Sequence, residues 1–383
     1  MFSSRLDWNV AANPITRLLL EKRNSGAEIL DLTESNPTAA GFEYPDAILT
    51  ALADPRSLRY EPVAAGMRVA REAITGYYGG QVDLGRIMVT ASTSEAYGFI
   101  FKLLANPGDE VLVPRPSYPL FEFLSALESV RVVNYPLLYQ GCWSFDFDTL
   151  VSRITARTRA IVLVNPNNPT GSFLKKAELV QLLEICHGRE IALVSDEVFS
   201  DYGFEADRER VSTLIGVEEI LTFSLSGLSK IAGLPQLKLG WIVTSGPQEL
   251  SREAFVRLEL IADTYLSVGT PMQWAAPALL ASRGHIQSQI IERVRENLAL
   301  LRSQIEPTSP WRVLAVEGGW YATIQAPRIR TEEDWVLSLL AEDQVLVQPG
   351  FFFDFETEAF LVVSLLTSPA IFREGIRRIL VRA

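Results

Sequence analysis

Seven short runs rich in branched apolar residues recur between residues 87 and 245: "IMVTA" (87–91), "EVLVP" (110–114), "VRVVNY" (130–135), "AIVLVN" (160–165), "IALVSD" (191–196), "ILTFSL" (220–225) and "LGWIVTS" (239–245). Between several of them, as at 93–105 and 175–187, apolar residues repeat with a helical period. Strands that read as unbroken apolar runs are covered on both faces, and strands joined through helices pair in parallel. The chain is therefore predicted to be α/β, with a large domain built on a mostly parallel seven-stranded sheet flanked by helices. After residue 284 the pattern changes. A long charged amphipathic helix, about 285–306, precedes "WRVLAV", "GGWYATIQA", "VLVQPG", "FLVVSLL" and a final basic helix. These predict a smaller α+β domain of residues 285–383 joined by residues 1–44, leaving 45–284 as the large domain.

Several functions are excluded by what the chain lacks. Its 46 acidic against 35 basic residues argue against a nucleic-acid partner, which needs a basic surface. No apolar run reaches the roughly 18 residues of a membrane span, and no charged segment followed by an apolar one opens the chain. The expected compartment is the cytoplasm. Two cysteines, Cys142 and Cys186, give no zinc site and no disulfide framework, so no metal is expected. With only two histidines, His187 ending a helical segment and His285 read as a loop residue, imidazole chemistry has little to work with.

In open α/β sheets, ligands bind beyond the carboxyl ends of the strands. The segments that follow the predicted strands are "STSEA", "RPSYPLF", "NPNNPTG", "DEVF" and, after 220–223, "SLSGLSKIAGLPQLKLGW". Each has an ordinary structural explanation. "STSEA" reads as a helix cap with Glu95 completing a capping box, or as hydroxyl and amide donors for a phosphate. "NPNNPTG" is composed of turn formers, but three asparagines exceed what a turn needs. Asp196 could cap a helix, yet no helical pattern starts there, and a carboxylate ending a buried strand needs a partner. Tyr118 could be core and Lys230 a surface lysine. Lys230, however, lies in an apolar stretch with Lys238 eight positions on and almost no carboxylate to neutralise either.

Taken together the residues suit pyridoxal phosphate. Its phosphate needs N–H and hydroxyl donors with a cation, and its pyridine nitrogen needs a carboxylate to stay protonated. Its phenolic oxygen needs a donor, its ring face an aromatic, and its aldehyde a lysine of depressed pKa. Lys230 would be neutralised by the aldehyde and Lys238 by the phosphate. The ligand supplies the missing counter-charge.

At these residues the sequence resembles the class I/II aminotransferases, fold-type I pyridoxal-phosphate enzymes. The resemblance runs through "SNPT…YP" (35–45), "RYEPVAAGMRVAREAITGYY" (59–78), "TASTSEA" (90–96), "NPGDEVLVPRPSYPLF" (106–121), "NPNNPTG" (165–171), "SDEVF" (195–199), "LSK" (228–230), "EGGWY" (317–321) and "VLVQPGFFFDF" (345–355). It implies Lys230 as the Schiff-base lysine and proton carrier, Asp196 on the pyridine nitrogen, Asn168 on the phenolic oxygen and Tyr118 on the ring. Ser92, Thr93, Ser94, Ser226 and Ser229 would serve the phosphate. Tyr60 would reach the phosphate of a partner subunit, implying a homodimer with shared sites. Main-chain groups around Ser35 and Asn36 are candidates for substrate binding.

The chain departs from the family pattern at four places. Lys238 stands where arginine is usual, keeping the charge but losing the bidentate geometry. Phe199 replaces a tyrosine that would donate to the phenolic oxygen. Gly227 replaces a common serine. Val362 replaces the arginine that grips a substrate carboxylate, and Arg5 and Arg17 are substitutes to be looked for. The resemblance implies an aminotransferase passing an amino group between an amino acid or related amine and a 2-oxo acid. A lyase, decarboxylase or racemase on the same scaffold, or a non-catalytic binding protein, are the alternatives. Without the arginine, aspartate, glutamate and alanine are expected to be poor substrates beside bulkier, more apolar ones.

Overall fold

The computed structural model describes residues 2–382. All seven expected runs are strands, and a short edge strand makes the sheet eight-stranded. In chain order they are β1 (Ile87–Thr90), β2 (Glu110–Arg115), β3 (Arg131–Tyr139), β4 (Trp143–Phe145), β5 (Thr158–Val164), β6 (Ala192–Asp196), β7 (Thr222–Gly227) and β8 (Gly240–Ser245). Across the sheet the order is β1-β8-β7-β6-β5-β2-β3-β4. β7, β6, β5, β2 and β3 pair in parallel; β8 is antiparallel to both β1 and β7, and β4 folds back on β3 as a hairpin.

The unbroken apolar character of these strands follows from their two covered faces. Val162, Val194, Phe223 and Ile242 point to one side, with Ile100 and Leu258 of helices Thr93–Leu104 and Gln248–Tyr265. Ile161, Leu163 and Leu193 point to the other, where Leu182 of helix Lys176–Cys186 covers them. Trp241 and Val243 share that second side with helices Arg68–Tyr77 and Thr270–Gln304.

A second, antiparallel sheet has the order Arg312–Val313, Tyr321–Gln325, Phe360–Ser364, Gln348–Pro349. Beside it Leu30–Asp31 pairs in parallel with Val345–Leu346. Its core joins Leu361, Val363, Phe372 and Ile376 to Ile15, Leu32 and Ala40 near the start of the chain. The helix expected over 285–306 is Thr270–Gln304, so His285 is helical and not in a loop. Its first half packs Ala275, Ala276 and Leu279 with the large sheet; its second half packs Ile286, Ile290 and Val294 into the other core. No helix is long and apolar enough to cross a membrane among the described residues.

Candidate active site

The carboxyl ends of β1, β5, β6 and β7 open into one cleft of about 270 Å³. Ser35, Ser92, Thr93, Ser94, Tyr118, Asn168, Asp196, Phe199, Ser229, Lys230 and Lys238 line it, as the sequence led one to expect.

Lys230 is half-buried, in the one-turn helix Leu228–Ile231 that follows β7. Its Nζ stands 5.0 Å from the Trp320 ring centre and 5.6 Å from that of Phe199, while its carbonyl accepts the Tyr202 hydroxyl at 2.7 Å. Loss of hydration among these rings lowers the ammonium pKa, and the nearby Asp196 charge opposes that shift only in part. Such a lysine is more readily neutral, and so more nucleophilic, than a solvated one.

Asp196 ends β6 between Val164 and Leu225. Burial pushes its carboxyl up to about 6, although the Val198 N–H and the Tyr97 hydroxyl each donate to it at 3.3 Å. Next in the chain, Glu197 is also buried and pushed up to about 7, but it accepts from the Leu214 N–H at 2.8 Å and the Ser224 hydroxyl at 3.1 Å and does not line the cleft.

The three asparagines of "NPNNPTG" divide their work. Asn165 braces the loop, donating to the Val211 carbonyl and accepting the Leu174 N–H. Asn167 accepts the Thr170 hydroxyl at 2.9 Å. Asn168 alone lines the cleft, and its buried Oδ1 has no partner.

At the opposite wall, Ser92 caps helix Thr93–Leu104 by accepting the Glu95 N–H, and Glu95 accepts the Ala91 N–H at 2.6 Å. Glu95 thus reaches the N–H before the N-cap and not that of Ser92, so only half of the expected capping box forms; the Thr93 and Ser94 amides have no backbone partner at this helix N-terminus, where an anion is favoured. A Cβ at Gly240 would lie 3.1 Å from both the Ser226 carbonyl oxygen and the Ser92 carbonyl carbon, so glycine lets these turns converge. The same closeness explains Gly227: a side chain there would come within 3.0 Å of Gly240 Cα and the Leu239 carbonyl. Lys238 reaches the cleft from a left-handed residue (φ 49°), an uncommon conformation outside glycine and one that marks many functional positions.

Three expected residues lie elsewhere. Ser226 is buried on β7 with an unpartnered hydroxyl, beside the cleft and not in its wall. Asn36 is exposed, its side chain occupied in a turn by the Thr38 N–H and hydroxyl. Tyr60 is 64% exposed and outside the cleft of its own chain. Neither candidate arginine lines the cleft: Arg5 donates to the Leu127 carbonyl at 2.8 Å, and Arg17 is exposed on helix Pro14–Asn24. Val362 is fully buried against Phe353 and Phe355.

The cleft also includes Phe121, Val198 and Pro235, which lie in the segments after the strands without having been singled out, together with Val164 and Tyr321. Tyr321 belongs to the quoted "EGGWY", so its signal was present. Tyr97 follows Thr93 by one helical turn, which places both on one face.

Comparison with known proteins decides what this arrangement belongs to. The sequence model of the family described as aminotransferase class I and II matches residues 27–379. The chain belongs to that family. It is 29% identical over 370 residues to the glutamate-pyruvate aminotransferase AlaA of Haemophilus influenzae, covering 92% of this chain and 90% of that protein. A crystal structure of an Escherichia coli aminotransferase superposes with a TM-score of 0.87 at 26% identity, covering 99% of this chain and 96% of that one. An alanine aminotransferase from Pyrococcus furiosus superposes with a TM-score of 0.88 at 24% identity, covering 99% and 98%. The protein is a pyridoxal-phosphate-dependent aminotransferase. Its cleft suits that cofactor: free helix-end amides with Lys238 for a phosphate, a buried carboxyl for a ring nitrogen, the Asn168 amide in the wall and a partly desolvated lysine.

Proposed function

We propose that Lys230 is the residue of this aminotransferase that binds the cofactor aldehyde and carries the proton during amino transfer. The observation that supports this best is its half-buried ammonium, made less basic by desolvation, in the same cleft as Asp196 and the free end of helix Thr93–Leu104. When bound, pyridoxal phosphate supplies a carbonyl that takes the amino group and a ring that withdraws electrons. Asp196 then has a role for its buried carboxyl, holding a proton on the ring nitrogen. Asn168 and Tyr118 orient the ring, and Phe199 offers it only an apolar edge. Thr93, Ser94, Ser229 and Lys238 hold the phosphate. Phe199 and Trp320 flank the Lys230 ammonium and make it less basic by displacing water, while Tyr202 braces the Lys230 carbonyl.

Amino donors and 2-oxo acids are the substrates, and the enzyme works as a homodimer in which Tyr60 of one subunit completes the site of the other. Residues 45–284 serve the cofactor, and residues 1–44 with 285–383 form the smaller part, the joint falling within helix Thr270–Gln304. The named relatives bring alanine, glutamate and pyruvate as first compounds to assay. The test is a two-stage spectral experiment on the holoenzyme: an amino donor should convert the bound cofactor to its amine form, and a 2-oxo acid should restore it. Loss of an amino acid's carboxyl as carbon dioxide, or racemisation without formation of an oxo acid, would overturn the assignment. Lys230→Ala should retain cofactor and lose both stages.

A further inference from the structure

Among the described residues that line the cleft, three side chains carry charge: Asp196, Lys230 and Lys238. Both cations already have a task, Lys238 with the phosphate and Lys230 with the aldehyde. A substrate carboxylate entering the same space meets no third cation among the described residues that line it. The strand Phe360–Ser364 pairs with Tyr321–Gln325 and so runs beside the cleft residue Tyr321. It presents Val362 between Thr323 and Gln348, packed on Phe353 and Phe355. Arginines on the neighbouring segments are engaged with carbonyl groups. Arg115 donates to Asp354 at 2.7 Å, and Arg293 to Ala40 at 3.3 Å and to Leu366 at 3.1 Å.

The cleft offers aromatic and aliphatic surface instead, from Phe121 and Val198, with neutral hydroxyls on Ser35 and Tyr321. Hydroxyls return only part of the hydration that a buried carboxylate gives up, so its transfer is unfavourable without a cation. An apolar side chain gains with each methylene removed from water.

We infer that this enzyme selects its amino donor by apolar bulk and not by the carboxylate. Its donors are aliphatic and aromatic monoamines together with the apolar amino acids that share their side chains; dicarboxylates such as glutamate bind weakly. This inference rests on the aminotransferase reading of the same cleft. Over a full cycle the donor's C–N bond breaks and its carbon is oxidised by two electrons to a carbonyl. The amino group passes to the carbonyl carbon of an oxo acceptor, which is reduced by the same two electrons. Donor amine and acceptor carbonyl become donor carbonyl and acceptor amine, and the exchange balances whether or not a carboxylate sits beside the reacting carbon.

The experiment is a titration of the holoenzyme, following the absorption of the bound cofactor. The donors are three matched pairs: alanine with ethylamine, leucine with 3-methylbutylamine, and phenylalanine with 2-phenylethylamine. Glutamate is added as a dicarboxylate. Half-saturation constants are compared in place of rates, because a carboxylate also alters the acidity of the carbon beside it. The members of each pair should agree within about tenfold, a small difference on the scale of binding. Binding should tighten from the two-carbon pair to the phenyl pair, with glutamate weakest. If the amino acid of each pair binds more than about tenfold tighter than its amine, as a bidentate guanidinium would produce, the inference is overturned while the aminotransferase reading stands. A cation reaching the cleft from a partner subunit would give that result. If no donor, acidic or neutral, changes the spectrum, the reading of the cleft falls and the inference with it.

Discussion

The carboxyl of Asp196 sits where burial alone would keep a proton on it, and two donors, the Val198 N–H and the Tyr97 hydroxyl, work against that. The groups facing it are Tyr97 from helix Thr93–Leu104, Lys230 after β7 and Tyr118 after β2, whose hydroxyl pKa the Asp196 charge helps to raise. A hydrogen bond to the charged form favours that form, so removing one raises the pKa. Tyr97→Phe should therefore move the acid limb of the kcat/KM profile to higher pH, by up to about one unit, with less than about tenfold loss at alkaline pH. A pH–rate profile checks this; an unchanged acid limb with only lowered stability would make Tyr97 a packing residue. Asp196→Ala should lose more than about a hundredfold at every pH, because the ring nitrogen loses its anionic partner as charge develops. Lys230, Asp196 and Asn168 were legible in the sequence because polar groups ending apolar strands need a reason to be there. Tyr97 was not, since an aromatic at helical spacing reads as core. Asn36 is expected to act through its main chain, but there its N–H donates to Glu34 at 2.7 Å and its carbonyl accepts the Ala39 and Ala40 N–H groups, so both serve a local turn.

Strands were the most readable elements, for a physical reason visible in their neighbours: Val162 and Leu163 face opposite cores, so β5 has no polar alternation to confuse it with a surface element. β4 escaped notice because three residues with partly exposed sides carry no run of that kind. Helix Thr270–Gln304 starts earlier than its charged amphipathic part, and its first half contains Pro277 and Gly284, both poor helix formers. Packing against the large sheet overrides them there: Ala275, Ala276 and Leu279 are all buried. Gly240 shows what a sequence alone conceals. Its role depends on how close β7 and the end of helix Thr93–Leu104 come to it, a distance set by the whole sheet.

At the scale of the molecule, Leu58 is 93% and Leu266 71% exposed, with Tyr60 and Tyr265 also open to solvent. Hydrogen bonds between Val63 and Ser267 tie the two segments that carry them together. Such an apolar surface marks an interface more often than a solvated face, and it carries the tyrosine assigned to the other subunit's cleft. Sedimentation equilibrium should give a dimer, and Tyr60→Phe should weaken cofactor binding without dissociating it. A fully active monomer would contradict the shared site. The central claim concerns Lys230 itself. Borohydride reduction of the holoenzyme followed by peptide mapping should place the whole of the stable pyridoxyl adduct on Lys230. An adduct on Lys238 or another lysine, or none at all, would contradict it.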